Sequence, residues 1–131
     1  IVSGVACPFW VPLVEYNEAD SPGADYFVKK RLDQLMRLDP LIDAVILGCT
    51  HYPLLMPKIV KYVNPGVRII PQGAHVAESL KNYFVRHPEM ESRCTNGGNV
   101  EYLTTENPDK FRESAQIFLH EHVDVKNITL G

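Results

Sequence analysis

Asp43-Ala44-Val45-Ile46-Leu47-Gly48-Cys49-Thr50-His51-Tyr52-Pro53-Leu54-Leu55 is the stretch on which the reading of this chain turns. Residues 43–47 run apolar without alternation, the pattern of a parallel strand covered on both faces. Gly48 stops the run. A thiol and an imidazole follow two residues apart, at the carboxyl end of the expected strand, where α/β proteins usually carry their reactive groups. Pro53 suits the first turn of a helix, continued by Leu55, Ile59, Val60 and Val63. Cys49 is thereby expected near the positive pole of that helix, a setting that draws a thiol pKa down from its reference of ~8.5, with His51 as a further tuning group.

Outward from this stretch the chain reads as alternating elements. Upstream, Val5-Ala6-Cys7-Pro8-Phe9-Trp10-Val11-Pro12-Leu13-Val14 predicts a short strand and then a buried loop ending at Glu15, because Pro8, Pro12 and the bulky Phe9-Trp10 pair resist regular structure. After Pro22-Gly23, the residues Phe27, Val28, Leu32, Leu35 and Met36 recur at helical spacing, and Asp39-Pro40 ends that helix. Downstream, Asn64-Pro65-Gly66 turns the chain into a strand over 67–70. Pro71-Gln72-Gly73 leads into a helix with Ala77, Leu80 and Phe84 on one face, stopping near His87-Pro88. The run from Glu89 to Asn99, with Gly97-Gly98, predicts a surface loop. A strand over 100–104, a helix over 108–121 with Phe111, Ala115, Phe118 and Leu119 inward, and a strand over 127–130 complete the chain. The order predicts an α/β fold, a parallel sheet with flanking helices and right-handed crossovers.

Composition narrows the function classes. With 131 residues, 45% hydrophobic and 22% charged, the chain suits one modest globular core. The net charge of −3 and the lack of Lys/Arg clusters among aromatic residues argue against nucleic acid as a partner. No apolar run approaches the roughly 20 residues of a membrane span, and the first residues lack the regions of a signal peptide, so a soluble, cytoplasmic protein with no membrane partner is expected. Three scattered cysteines, at positions 7, 49 and 94, do not make a disulfide framework, and reduced thiols are expected. The chain begins at Ile1 rather than Met, directly in apolar sequence, and reads as a piece of something longer.

A cysteine at a strand end is by base rate a buried small hydrophobe. Gly48 before it, the Thr50 hydroxyl and His51 within reach favour a reactive Cys49 instead, open to nucleophilic attack or proton transfer. Cys49 with His51, and His120-Glu121-His122, are the close metal-type pairs, and neither belongs to a ligand framework, so no metal is expected. His120 and His122 suit the end of a helix, near its negative pole. Cys7 and Cys94 have no His or Lys beside them and read as inert thiols. Glu15, beside Asn17 and Glu18, reads from its residue type alone as the return of the chain to solvent.

Two motifs in order resemble one family. Gly48-Cys49-Thr50-His51-Tyr52-Pro53-Leu54-Leu55 is similar to the second cysteine motif of glutamate racemases, within the cofactor-independent aspartate/glutamate racemase superfamily. Ala6-Cys7-Pro8, followed by Val11-Pro12-Leu13-Val14-Glu15, is similar to its upstream acidic motif. Gly73 and Ala77 fall where the family has a turn and a helix. The Thr-His pair after Cys49 resembles glutamate-specific members more than the aspartate branch.

The resemblance implies racemisation of glutamate, a small-molecule substrate, by two thiols without pyridoxal phosphate, metal or other cofactor. Cys49 would act on the L-glutamate side, His51 would assist it as acid/base, Thr50 would contact substrate and Glu15 would be an auxiliary acid, against the reading of its residue type alone. It further implies D-glutamate supply for bacterial peptidoglycan and a two-domain α/β fold with the site between the domains. Residues 1–70 would carry the Cys-Thr-His motif as the second half of one domain, and 71–131 would return to the other.

The departures are as specific as the matches. The family's first cysteine and its N-terminal Asp-Ser-Gly motif are absent, Cys7 and Cys94 do not match that cysteine, and Pro71-Gln72-Gly73 stands where many members have Asp-Ser-Gly. The chain thus resembles the C-terminal portion, with half of a two-thiol site, and is expected to be inactive alone and to self-associate as a homo-oligomer. Racemisation of aspartate or another amino acid, or a non-catalytic binding module, remain the alternatives.

Overall fold

Ser21 opens the helix that organises the fold. Its hydroxyl accepts the Ala24 N–H at 3.2 Å, and Pro22 occupies the first turn of α2 (Pro22–Leu38), where no backbone donor is needed. Ala24, Val28 and Leu32 follow at intervals of four and are buried. The computed structural model describes every residue except Asn96 and Gly131. The chain forms two compact units, Ile1–Arg86 and His87–Gly131.

In the first unit, β1 (Ala44–Leu47) pairs in parallel with β2 (Arg68–Pro71), Val45 opposite Ile69. The crossover between them is a 3₁₀ turn, Tyr52–Leu55, which buries Leu55, and a short helix α3 (Met56–Tyr62), which buries Ile59 and packs on α2. Asn64-Pro65-Gly66 makes the expected turn, with Val67 N–H on Asn64 O at 3.2 Å. Gly66, at φ 87°, takes the left-handed position that favours glycine. Helix α4 (Gln72–Arg86) follows β2 directly.

The second unit holds a helical turn α5 (Pro88–Glu91), then β3 (Tyr102–Thr104) in parallel with β4 (Val125–Asn127), joined through α6 (Pro108–Leu119). Asn107 caps α6, its side chain accepting Asp109 N–H at 2.8 Å. Within the described residues the strands form two separate two-stranded sheets. No helix among them is long and apolar enough to cross a membrane.

Several expectations are corrected. No strand forms in residues 1–9, and the predicted loop over 10–15 is a helix, α1 (Trp10–Glu15). Pro12 is tolerated there because it falls in the first turn, whose N–H groups have no helical partner in any case. The strand expected to be covered on both faces is covered on one: Val45 and Leu47 are buried, while Ile46 is 65% exposed. The Ile46 side is left largely open by the described residues, and the edge of β1 away from β2 borders a cavity of about 610 Å³ lined in part by residues 1–5. The apolar faces of α4 and α6 are also bare, with Val76, Leu80, Phe111 and Leu119 exposed. The loop expected from Glu89 opens on α5, and its Asn96 lies outside the described residues. The last strand sits at 125–127 rather than 127–130, although Ile128 N–H still reaches Thr104 O at 2.9 Å.

One polar cluster locks α2 to α3. The Asp25 carboxylate accepts from Lys58 Nζ at 2.5 Å, Lys61 Nζ at 2.8 Å and the Tyr62 hydroxyl at 2.6 Å. Hydrogen bonds from Lys58, Lys61 and Tyr62 hold the carboxyl far below the usual carboxylate range. A depressed carboxyl pKa means that the unfolded chain takes up the proton first. The stability from this cluster is therefore complete above the ordinary pKa of about 4 and drains as pH falls below it. Asp25→Asn is expected to flatten the fall in melting temperature between about pH 4 and pH 2, read by circular dichroism melts at stepped pH. An unchanged acid slope in the variant would show that other carboxylates carry it.

Candidate active site

The end of β1 delivers Gly48 and then Cys49 into a tight turn, in which Tyr52 N–H bonds Cys49 O at 3.2 Å and Leu54 N–H bonds His51 O at 3.0 Å. The turn brings the two motif side chains together: Cys49 Sγ lies 3.8 Å from His51 Nδ1. On the other side of the ring, His51 Nε2 hydrogen-bonds Glu15 Oε1, from the last residue of α1 and 36 positions away in sequence. With Glu15 as carboxylate and the ring neutral, Nε2–H donates to Oε1 and Nδ1 is left to accept from the Cys49 thiol. The three groups form a line, carboxylate, imidazole, thiol, able to take a proton from sulfur onto His51 while Glu15 steadies the resulting cation. Thr50, between the two motif residues, is exposed.

Both ends of the ion pair meet solvent, Glu15 at 51% exposure and His51 at 30%. Such a pair contributes about 1 kcal/mol or less to stability, so its value lies in orientation. The helix pole set against Cys49 by the sequence reading is displaced: a 3₁₀ turn intervenes, and α3 starts only at Met56. Pro53 and Pro57 each take a first-turn position, which splits the expected helix in two. The partner of Cys49 is the His51 ring instead.

Cys7 lies apart from this line. Its thiol is pushed up by burial, against the opposing effects of the Arg31 charge and the Tyr52 hydroxyl. The Tyr52 phenol is in turn raised by burial and by the neighbouring thiols of Cys7 and Cys49. The cavity beside β1 reaches Cys7, Gly48 and Tyr52 and stops short of Cys49 and His51. Among the described residues no group of three or more His, Cys, Asp or Glu side chains is placed to hold a metal ion.

Residue type alone places Glu15 at the chain's return to solvent, where it is half exposed, but gives no sign of the His51 contact, because nothing within a few positions of it signals that contact. The aromatic pair Trp10 and Tyr52, with ring centroids 4.8 Å apart, likewise escapes the sequence reading. Its one signal in the sequence is a large aromatic residue beside each motif.

No family model matches the chain. Against curated proteins it is 37% identical over 132 residues to the glutamate racemases of Streptococcus pyogenes serotypes M5 and M49, a match that covers 98% of this chain and 48% of each relative. The chain spans about half the length of the curated relatives it matches. Among solved structures it is similar to glutamate racemase isoform RacE1 from Bacillus anthracis, with TM-score 0.79 and 30% identity over 95% of this chain and 46% of that one. The Thermus thermophilus glutamate racemase in complex with β-chloro-D-alanine gives TM-score 0.77 and 31% identity, over 95% of this chain and 46% of that one. Sequence and fold agree: over nearly its whole length the chain is similar to about half of a glutamate racemase.

Proposed function

We propose that this chain is the half of a cofactor-independent glutamate racemase that supplies the thiol acting on L-glutamate. The observation that carries the reading is the line from Glu15 through His51 to Cys49 at the carboxyl end of β1. The α-proton of an amino acid is far less acidic than a thiol, so the site needs a base held against it and stabilisation of the carbanion that forms. Cys49, its proton passed to His51, takes the α-proton from L-glutamate. A second thiol, from the half of the enzyme that this chain does not contain, delivers a proton to the opposite face. In the reverse direction Cys49 is the donor. Thr50 contacts the substrate, and Glu15 keeps the His51 ring turned so that Nδ1 faces sulfur.

In this reading residues 1–70 finish one α/β domain and 71–131 return to the other. The bare Ile46 face, the free β1 edge and the exposed side of α4 are covered by the missing half, and by self-association when that half is absent. The product is D-glutamate for the bacterial cell wall, made in the cytoplasm. Support for glutamate as substrate comes from the Francisella tularensis racemase solved with D-glutamate, 25% identical over 94% of this chain and 45% of that one, with TM-score 0.74.

The test is proton exchange. The longer protein containing this chain is expected to wash deuterium from the solvent into Cα of L- and D-glutamate, followed by proton NMR, and the 131-residue chain alone is not. Exchange into aspartate but not glutamate would move the substrate, and exchange into neither would leave a binding module. His51→Asn in the longer protein is expected to slow exchange of the α-proton of L-glutamate about 10²-fold, with a smaller effect on exchange of the α-proton of D-glutamate. Equal losses in both directions would place His51 in general folding rather than beside one thiol.

A further inference from the structure

The His51–Glu15 pair joins α1 to the Cys49 turn, yet both side chains are open to water, and exposed ion pairs do not by themselves hold two elements in register. A second contact joins the same two elements. Tyr52, the residue after His51, meets the Trp10 ring edge to face, at 4.8 Å between centroids and 69° between planes. Trp10 opens the helix that Glu15 closes, and it is buried. Its indole N–H donates to Phe27 O at 3.3 Å, which ties the pair to α2, while Tyr52 N–H on Cys49 O ties the ring to the turn that holds the thiol.

Of the two links between α1 and the turn, the aromatic one is the sheltered one and can dictate geometry. We infer that Trp10 and Tyr52 are the positioning residues of the site: their contact sets where α1 ends relative to the Cys49 turn, which holds Glu15 on Nε2 and leaves Nδ1 to sulfur. Neither touches the reacting atoms, and both act through His51. The inference deepens the racemase reading and rests on it for its functional meaning, although its geometry can be tested without turnover.

The test reads the His51 tautomer in the ¹⁵N-histidine-labelled chain, by long-range proton–nitrogen correlation at about pH 7.5, where an ordinary imidazole is mostly neutral and an ordinary thiol still mostly protonated. The unchanged chain is expected to show the Nε2–H form in about tenfold excess. Tyr52→Leu and Trp10→Leu are each expected to bring the two forms to comparable populations. Tyr52→Phe, which keeps the ring, restores the excess, and Ile59→Val, a core change away from the site, leaves it intact. A folded Tyr52→Leu or Trp10→Leu chain that keeps the excess overturns the inference, as does a Tyr52→Phe chain with the same tautomer ratio as Tyr52→Leu. Should the leucine variants fail to fold, Trp10→Phe decides: loss of the indole N–H is expected to cut the excess about threefold, and an unchanged ratio overturns the inference. Failure here leaves the racemase reading standing, whereas absent deuterium exchange with an intact tautomer would remove that reading alone.

Discussion

In the longer protein, Cys49→Ser is expected to lower exchange of the α-proton of L-glutamate about 10³-fold or more, because on the proposed reading the site loses its base while keeping its shape. A serine hydroxyl is close in size to the thiol but much less acidic, so His51 cannot draw its proton off to leave a usable anion at neutral pH. The Nδ1 contact at 3.8 Å suits sulfur, and the smaller oxygen sits further from the ring's lone pair. Substrate affinity is expected to change little, since the loss falls on a group that acts in the transition state. The measurement is NMR exchange in deuterated water with both enantiomers. A serine variant within about tenfold of the unchanged protein would mean that the thiol is not the base and would return Cys49 to the buried hydrophobe that base rates favour.

The largest stability effect is expected at Leu32→Ala. Leu32 is 1% exposed, sits mid-way along α2, and belongs to a first-unit core that otherwise comprises Trp10, Val14, Ala24, Val28, Val45, Leu47, Leu55 and Ile59. Truncating a buried leucine costs about 3 kcal/mol, through lost transfer energy and the cavity left behind. A unit of this size, with only a two-stranded sheet, has a total stability of roughly 5 kcal/mol, so most of it is lost. Urea unfolding followed by tryptophan fluorescence reads this directly, because Trp10 lies in the same core. Leu80→Ala, on the bare face of α4, is expected to cost within about 0.5 kcal/mol in the isolated chain and clearly more in the longer protein, if the proposed second half covers that face. Equal small costs in both would place the covering surface elsewhere.

What could be read from local sequence was what local physics controls. The capped start of α2 at Ser21-Pro22, its buried spacing, the turn at Asn64-Pro65-Gly66 and the apolar strand ending at Gly48 each depend on φ/ψ preferences, caps and periodicity within a few residues. The Cys49–His51 contact belongs to the same class, since two residues apart in one turn leaves little freedom.

The misreadings share a different cause. Trp10–Glu15 reads as a loop because its prolines are counted before their position in the first turn is known. Ile46 reads as buried because hydrophobicity announces that a face wants cover, not which chain supplies it. Sequence by itself determined the run of elements around β1, the reactive pair and the resemblance to a racemase half. Only the tertiary structure decided that Glu15 meets His51 across 36 residues, that Asp25 gathers Lys58, Lys61 and Tyr62, and that Trp10 braces Tyr52. Those contacts depend on how α1 and α2 pack against the crossover from β1 to β2, a property of the whole chain's burial that no short window of residues encodes.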